Sequence, residues 1–265
     1  MTGGVTVDVR PAQDSPAIRM ALLHGLGSSV TVWDPLRSAL PSDVESWAFA
    51  FPWDSGQGPG WAMEPDTRVW LEHAWAAAPG RPDIVVAHSF GANVLLDWVS
   101  RQGTAGCRGV VLMSPFYRPD PDMFDWAAIK HYLNDFEDLV RAGILARLNG
   151  SRPATDVLEA MVSKVRDRIG PYGWMRFFDL YTRTPLLDLS AVDVPCLVLG
   201  GGHDTAAYPH DVRGLADALP DAVAHILPDS GHFSMIDNTA RVADLLRGFL
   251  HRLGDPTAAA KGAVI

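Results

Sequence analysis

Short, almost wholly apolar segments alternate along this chain with segments of helical periodicity. Residues 84–87 are the clearest case, because a strand without a polar face must be covered on both sides. The candidate strands are residues 5–9, 18–23, 46–51, 84–87, 110–113, 196–199 and 224–227. The candidate helices, with apolar side chains three and four positions apart, are residues 91–101, 211–219 and 240–253. This alternation predicts an α/β fold in which a mostly parallel central sheet is flanked by helices.

One long segment, residues 119–185, interrupts the alternation. It has no convincing strand, carries helical patterns over residues 126–148 and 154–168, and is rich in aromatic side chains. We therefore expect a helical lid inserted over the sheet. Residues 1–118 and 186–253 would form the core, residues 119–185 the cap, and residues 254–265, which are mostly small, a flexible tail.

The composition excludes several classes of protein. Asp and Glu total 31 against 22 Lys and Arg, so the net charge is −9 and no basic nucleic-acid surface is expected. No apolar run reaches the roughly 18 residues of a membrane helix, and the first residues alternate as in a strand rather than a signal peptide. We expect a cytoplasmic protein. Cys107 and Cys196 lie at or near apolar segments, which favours free buried thiols over a disulfide or a metal site.

The strongest functional signal is the pentapeptide Ala87-His88-Ser89-Phe90-Gly91, which follows a buried strand and opens a helix. A serine on such a tight turn projects its hydroxyl above the edge of the sheet, and small residues on either side let the backbone pass. The usual pattern is Gly-x-Ser-x-Gly, and Ala87 is small enough to replace its first glycine. Ser89 is therefore the predicted nucleophile.

A serine hydroxyl needs a base to accept its proton, and that base needs an acid to orient it. His232 follows the last candidate strand, and Asp204 follows the strand before it, after three glycines. We predict that His232 is the base and Asp204 the acid. Asp120 and Asp122, which come after the strand at residues 110–113, remain alternative acids.

Acyl transfer also needs hydrogen-bond donors for the developing oxyanion. The turn His24-Gly25-Leu26-Gly27 directly follows a strand, and Phe90 follows the predicted nucleophile. The backbone N–H groups of Leu26 and Phe90 are the predicted donors. We expect His24 to brace the turn rather than take part in the chemistry.

These four motifs together resemble the α/β-hydrolase superfamily, and look most like its esterase and haloperoxidase-related branch with a helical cap. The resemblance covers roughly residues 18–250. It implies that residues 24–27 form the oxyanion loop and that Ser89, Asp204 and His232 form a triad. In the loop after the third strand, Trp53 and Gln57 replace the Asp and His that the family often has, which leaves the triad unaffected.

The chemistry predicted from these residues is hydrolysis of a carboxylic ester, thioester or lactone through an acyl-enzyme, without metal or cofactor. The aromatic insertion favours a small, partly apolar acyl substrate. The alternatives are an acyltransferase or cyclase, a carbon–carbon-bond hydrolase, and a ligand receptor on a hydrolase scaffold. No substrate-binding residue is identified: we expect Asn93, Lys130 and His131 to be solvated or helix-surface residues. The oligomeric state is not predicted.

Overall fold

The computed structural model describes residues 4–54, 58–104, 106–148 and 151–254. Its seven strands form one sheet in the order β1-β3-β2-β4-β5-β6-β7. The strands are β1 Thr6–Arg10, β2 Ile18–Leu23, β3 Val44–Ala50, β4 Ile84–His88, β5 Gly109–Met113, β6 Cys196–Gly201 and β7 Ala222–Leu227. Strand β1 runs antiparallel to β3, and the other five pairs are parallel. The predicted, mostly parallel sheet is confirmed.

Helices cover both faces of this sheet. They are α1 Asp34–Ala39, α2 Val69–Ala77, α3 Phe90–Gln102, α4 Trp126–Arg147, α5 Thr155–Thr182, α6 Pro209–Ala218, α7 Ser234–Asp237 and α8 Thr239–Gly254. Alternate residues of β4 point to opposite faces. Val85 and Ala87 pack in the core that α2, α3 and α6 cover, whereas Ile84 and Val86 pack beneath α1 and α8. Both faces of β4 are buried, which explains why polar and apolar residues do not alternate along this strand.

Three helices, α1, α2 and α7, were not predicted from the sequence, and α7 has only four residues. Helix α1 has only six residues and opens with a proline at its second position, so it is too short for a periodic pattern. In α2, the apolar side chains are spread around the helix instead of forming one stripe, although Trp70, Leu71 and Ala74 are the ones buried. Short or evenly apolar helices give little periodic signal.

The segment between β5 and β6 contains the long helices α4 and α5, and its described part contains no strand. Helix α5 extends well beyond the predicted end at residue 168. It bends at Gly170, whose φ of 64° is left-handed, and Pro171 follows. The bend hid the second half from periodicity analysis, because glycine followed by proline usually ends a helix.

Aromatic rings join these two helices to the sheet domain. Phe116, which follows β5, contacts Tyr132 of α4 and Phe177 and Tyr181 of α5. Not every ring takes part, since Trp126 remains 83% exposed. The inserted helices are thus fixed over the carboxyl end of the sheet by rings that belong to the same core as one face of the sheet.

Both cysteines are free and buried, as predicted. Burial raises the pKa of the Cys107 thiol to about 11 and that of the Cys196 thiol to about 12, so both are neutral packing groups. Within the described residues, no helix is long and apolar enough to cross a membrane. The predicted flexible tail lies, except for Gly254, outside the described residues.

Candidate active site

Ser89 occupies a strained turn between β4 and α3. Its φ of 55° and ψ of −125° turn the chain sharply upward from the sheet. The turn is packed so closely that a Cβ at Gly91 would lie 2.6 Å from the carbonyl oxygen of His24. A Cβ at Gly25 would lie 2.9 Å from the Cβ of Ser89. Glycine is therefore required at positions 25 and 91, which both pack against the serine turn. This turn holds the Ser89 hydroxyl at the edge of the sheet.

His232 lies in the loop after β7, with its imidazole between two oxygen atoms. Its Nδ1 is 2.8 Å from Oδ2 of Asp204, and its Nε2 is 2.9 Å from Oγ of Ser89. A carboxylate only accepts hydrogen bonds, so Nδ1 carries the hydrogen and Nε2 is left to accept from the serine hydroxyl. The structure thus brings together the three side chains that the sequence singled out.

Asp204 follows β6 and is almost fully buried. Burial alone would raise the pKa of its carboxyl group, but the nearby His232 and several hydrogen bonds outweigh burial and lower that pKa. Its Oδ1 accepts from the backbone N–H groups of Ala206 and Ala207, at 2.9 and 3.0 Å. The carboxylate is consequently held in one orientation while charged.

The alternative acids lie elsewhere. Asp120 and Asp122 are exposed on a single helical turn, and the Asp120 carboxylate accepts from the backbone N–H of Asp122. Of the three carboxylates considered, Asp204 is the one that contacts the His232 imidazole.

Two residues that the sequence did not single out hold the backbone of His232. His88 donates from Nε2 to the His232 carbonyl oxygen at 2.9 Å, and Ser114 donates its hydroxyl to the same oxygen at 3.2 Å. Burial, followed by the neighbouring His232, lowers the pKa of His88 to about 3, so its ring stays neutral. The period-two alternation of β4 could have indicated that His88 points to the opposite face from Ala87.

His24 braces two loops instead of facing the serine. Its Nδ1 donates to the Gly25 carbonyl at 2.9 Å, and its Nε2 accepts from the Phe51 backbone N–H at 3.1 Å. Burial lowers its pKa to about 4, in agreement with this neutral bonding pattern. Trp53, one of the departures from the family pattern, donates its indole N–H to the His24 carbonyl at 3.1 Å. Gln57, the other departure, lies outside the described residues.

A largely apolar cavity opens beside the serine, between the sheet edge and helices α4 and α5. It is lined by Ser89 and His232, by the predicted donors Leu26 and Phe90, and by rings that include Phe116, Tyr132, Phe136, Trp174 and Phe177. Among the described residues, no three His, Cys, Asp or Glu side chains are grouped closely enough to hold a metal ion.

The expectation that Asn93 is solvated or on a helix surface is wrong. Asn93 is buried in α3, where its amide bonds both the N–H and the carbonyl of Phe116 and fixes the loop after β5. His131 lines the cavity, with its imidazole between Asp135 at 2.7 Å and the Tyr208 hydroxyl at 2.7 Å. Lys130 is exposed, as expected. Helical periodicity over α4 could not show which side faces the cavity, because both sides carry polar residues.

Comparison with known proteins shows which family the chain belongs to. No protein of curated function matches the sequence. The structure resembles a thermophilic esterase from Thermogutta terrifontis (19% identity, 95% of this chain and 94% of that one, TM-score 0.63). It also resembles an enol-lactonase from Burkholderia xenovorans LB400 (18%, 93% and 96%, TM-score 0.60). At such low identity, these likenesses establish the fold alone. The model of the alpha/beta hydrolase family matches residues 20–245, most of the chain, and the chain therefore belongs to the α/β-hydrolase family.

Proposed function

We propose that this protein is a serine hydrolase that cleaves a carboxylic ester, thioester or lactone through an acyl-enzyme on Ser89. One observation carries the proposal: the hydrogen-bonded chain from Ser89 through His232 to Asp204 opens onto an apolar cavity. A hydroxyl in that position, next to an imidazole free to accept its proton, is an activated nucleophile.

The first half-reaction forms the acyl-enzyme. His232 takes the hydroxyl proton at Nε2 as Ser89 Oγ attacks the substrate carbonyl, and the charged imidazole is stabilised by Asp204. The backbone N–H groups of Leu26 and Phe90 bind the oxyanion, each contributing roughly 3 kcal/mol to transition-state stabilisation. His232 then gives its proton to the leaving group.

The second half-reaction releases the acid. Water enters the site, His232 accepts its proton, and the hydroxide attacks the acyl carbonyl through a second oxyanion. Collapse of that intermediate returns the proton to Ser89. His88 and Ser114 act by positioning, since both hold the carbonyl of His232 and neither contacts the reacting atoms.

Residues 119–185, which contain α4 and α5, act as the cap in this proposal. Their aromatic side chains form much of the cavity wall and favour a small, partly apolar substrate. The core then comprises residues 1–118 and 186–253, which supply the proposed nucleophile, acid, base and oxyanion donors.

Labelling with a fluorophosphonate tests the nucleophile. We expect the wild-type protein to be labelled stoichiometrically and Ser89→Ala to lose labelling. Ser38→Ala, which changes an exposed serine on α1, should be labelled like the wild type. Surviving label on Ser89→Ala would mean a different nucleophile.

Measurement of product formation tests the proposed hydrolysis. We expect p-nitrophenyl esters of graded chain length, thioesters and lactones to include a substrate that wild type converts to the free acid and Ser89→Ala does not. Labelling without turnover would point instead to a receptor, and an acyl product made only with an added alcohol or amine would point to an acyltransferase.

A further inference from the structure

The face of α4 that lines the cavity changes character along its length. Eight of its residues take part: His131, Tyr132, Asp135, Phe136, Leu139, Val140, Gly143 and Arg147. The centre of this face is apolar, the first turns carry His131 and Asp135, and the last turn carries Arg147. At a rise of 1.5 Å per residue, the two polar ends lie about 24 Å apart along the helix axis.

Arg147 is the one arginine of the described part of the inserted helices that lines this cavity. Arg141 pairs with Glu159, and Arg166 pairs with Glu137, both on the outer surface. Arg147 donates from Nε to the Gly143 carbonyl of its own helix at 3.1 Å. Within the described part of the chain, no carboxylate lies within ion-pair distance of its guanidinium.

The surroundings of Arg147 make an isolated positive charge unfavourable. Burial is the main influence on its guanidinium and lowers its pKa, while the negative charge of Asp54 opposes that shift. Val165 and Phe233 line the same cavity. A cation in such a place is stabilised when an anion supplies the missing partner.

The position of α4 is itself tightly determined at this end. A Cβ at Gly143 would lie 2.6 Å from the ring of Phe233, the residue after the proposed base. Glycine there lets α4 approach the loop that carries His232. The guanidinium one turn further along is therefore held at the wall of the cavity that also contains Ser89.

We infer that Arg147 binds a carboxylate carried by the substrate. This inference rests on the proposed function and narrows its substrate to esters, thioesters or lactones with a carboxylate, separated from the scissile carbonyl by an apolar segment. The apolar segment lies along Leu139 and Val140, and the carboxylate accepts two hydrogen bonds from the guanidinium fork.

Matched substrates test the inference. One series is p-nitrophenyl monoesters of dicarboxylic acids, each paired with the neutral ester of equal chain length. The other pairs neutral acyl esters of 4-hydroxybenzoate with those of phenol, which places the carboxylate on the alcohol. We expect at least one chain length in one series to show an Arg147-dependent preference for the anion, and the series will identify which half of the substrate Arg147 contacts.

Three variants separate charge from structure. Arg147→Met should lower kcat/KM for the preferred anionic ester about 10- to 100-fold, mainly through KM, and should change kcat/KM for the neutral partner by less than about threefold. Arg147→Lys should retain part of the preference. Arg141→Met, on the outer face of α4, should behave as wild type. Equal losses on anionic and neutral esters, or no preference in either series, would overturn the inference.

A binding measurement keeps this result separate from that of the proposed function. Ser89→Ala should bind the monomethyl ester of a dicarboxylic acid of the preferred length, and Ser89→Ala combined with Arg147→Met should bind it at least about tenfold more weakly by calorimetry. Arg147-dependent binding without any hydrolysis by the wild type would sink only the proposed function. Hydrolysis of neutral esters with binding indifferent to Arg147 would sink only the carboxylate site.

Discussion

Ser89 shows how much of this site is backbone geometry. Its left-handed φ costs energy for a residue with a side chain, and it persists because the surrounding chain allows no other path. Gly25 and Gly91 pass so close to the serine turn that an added methyl group would overlap a neighbouring atom. The position of Ser89 is therefore set by close packing of the backbone, which places its hydroxyl within hydrogen-bond distance of His232.

The proposed acid, Asp204, provides a test at the same scale. Asp204→Asn keeps the shape of the side chain but removes the charge that orients and stabilises the His232 imidazolium. We expect kcat to fall about 10⁴-fold, as is typical when the acid of such a triad is replaced by its amide. Steady-state kinetics on the best ester will measure this change.

The controls for that test are Asp120→Asn and Asp122→Asn, which change exposed carboxylates away from His232. Both variants should keep kcat within about twofold of the wild type, as expected for surface substitutions. A collapse in either control, with activity retained in Asp204→Asn, would reverse the assignment of the acid.

Among the elements, α4 and α5 are tied to the loop that carries the acid by a chain of hydrogen bonds. Arg118 donates to the Tyr181 hydroxyl at 2.7 Å, which lies 3.1 Å from that of Tyr132. Tyr132 donates to the Ala206 carbonyl at 3.0 Å, and the Ala206 N–H binds Asp204. A single residue, Ala206, therefore connects the inserted helices to the proposed acid.

Tyr132→Phe should break that connection. It leaves the buried carbonyl of Ala206 without its donor, which should lower the free energy of unfolding by about 1–2 kcal/mol. We also expect faster amide hydrogen exchange in α4, because its docking loses a polar contact. Denaturant unfolding and exchange mass spectrometry will measure the two effects.

Tyr172→Phe is the matched control, since Tyr172 lies on α5 but is 57% exposed. It should change neither the free energy of unfolding nor the exchange of α4. If the two variants behave alike, the hydroxyl chain does not hold the helices in place.

At the scale of the whole molecule, buried titratable groups set the pH dependence of stability. Burial lowers the pKa of His24 to about 4 and that of His88 to about 3, from the ordinary value of 6.5. Burial also raises the pKa of Asp211 from 3.8 to about 7. Both oxygens of Asp211 are without a hydrogen bond among the described residues, and the Nε of Arg118 is 3.8 Å away.

These shifts act in opposite directions between about pH 6.5 and pH 4. In this window, His24 and His88 are protonated in the unfolded chain but not in the folded protein. Asp211 is protonated in the folded protein but not in the unfolded chain. The unfolded chain thus gains about one proton more. The combined contribution of these three groups to stability should fall with decreasing pH by about 1.4 kcal/mol per unit in this window.

Asp211→Asn should steepen that decline, because the opposing proton is removed and the difference becomes about two protons, or roughly 2.7 kcal/mol per unit. The slope of unfolding free energy against pH is the relevant quantity, since the substitution also changes the stability at any one pH. A slope equal to that of the wild type would show that Asp211 is ionised in the folded protein throughout.

The fold and the candidate site were predictable where their signals are local. Strand and helix periodicity and the small residues around Ser89 each appear within a few adjacent residues, and the candidate serine, acid and base each directly follow a strand signal. The choice between Asp204 and the alternatives at residues 120 and 122 needed the structure, because a carboxylate after either strand is compatible with the same order.

The amino-acid sequence by itself determined two features of this protein. Its buried strands require helices on both faces of the sheet, and its serine lies on a turn that only small neighbouring residues permit. Tertiary structure alone decided that His88 supports His232, 144 positions away, and that Arg147 lines the cavity. The physical reason is the distance along the chain over which each interaction acts. Turns and periodicity depend on neighbouring residues, whereas the burial and pairing of a charge depend on which distant segments the sheet brings together.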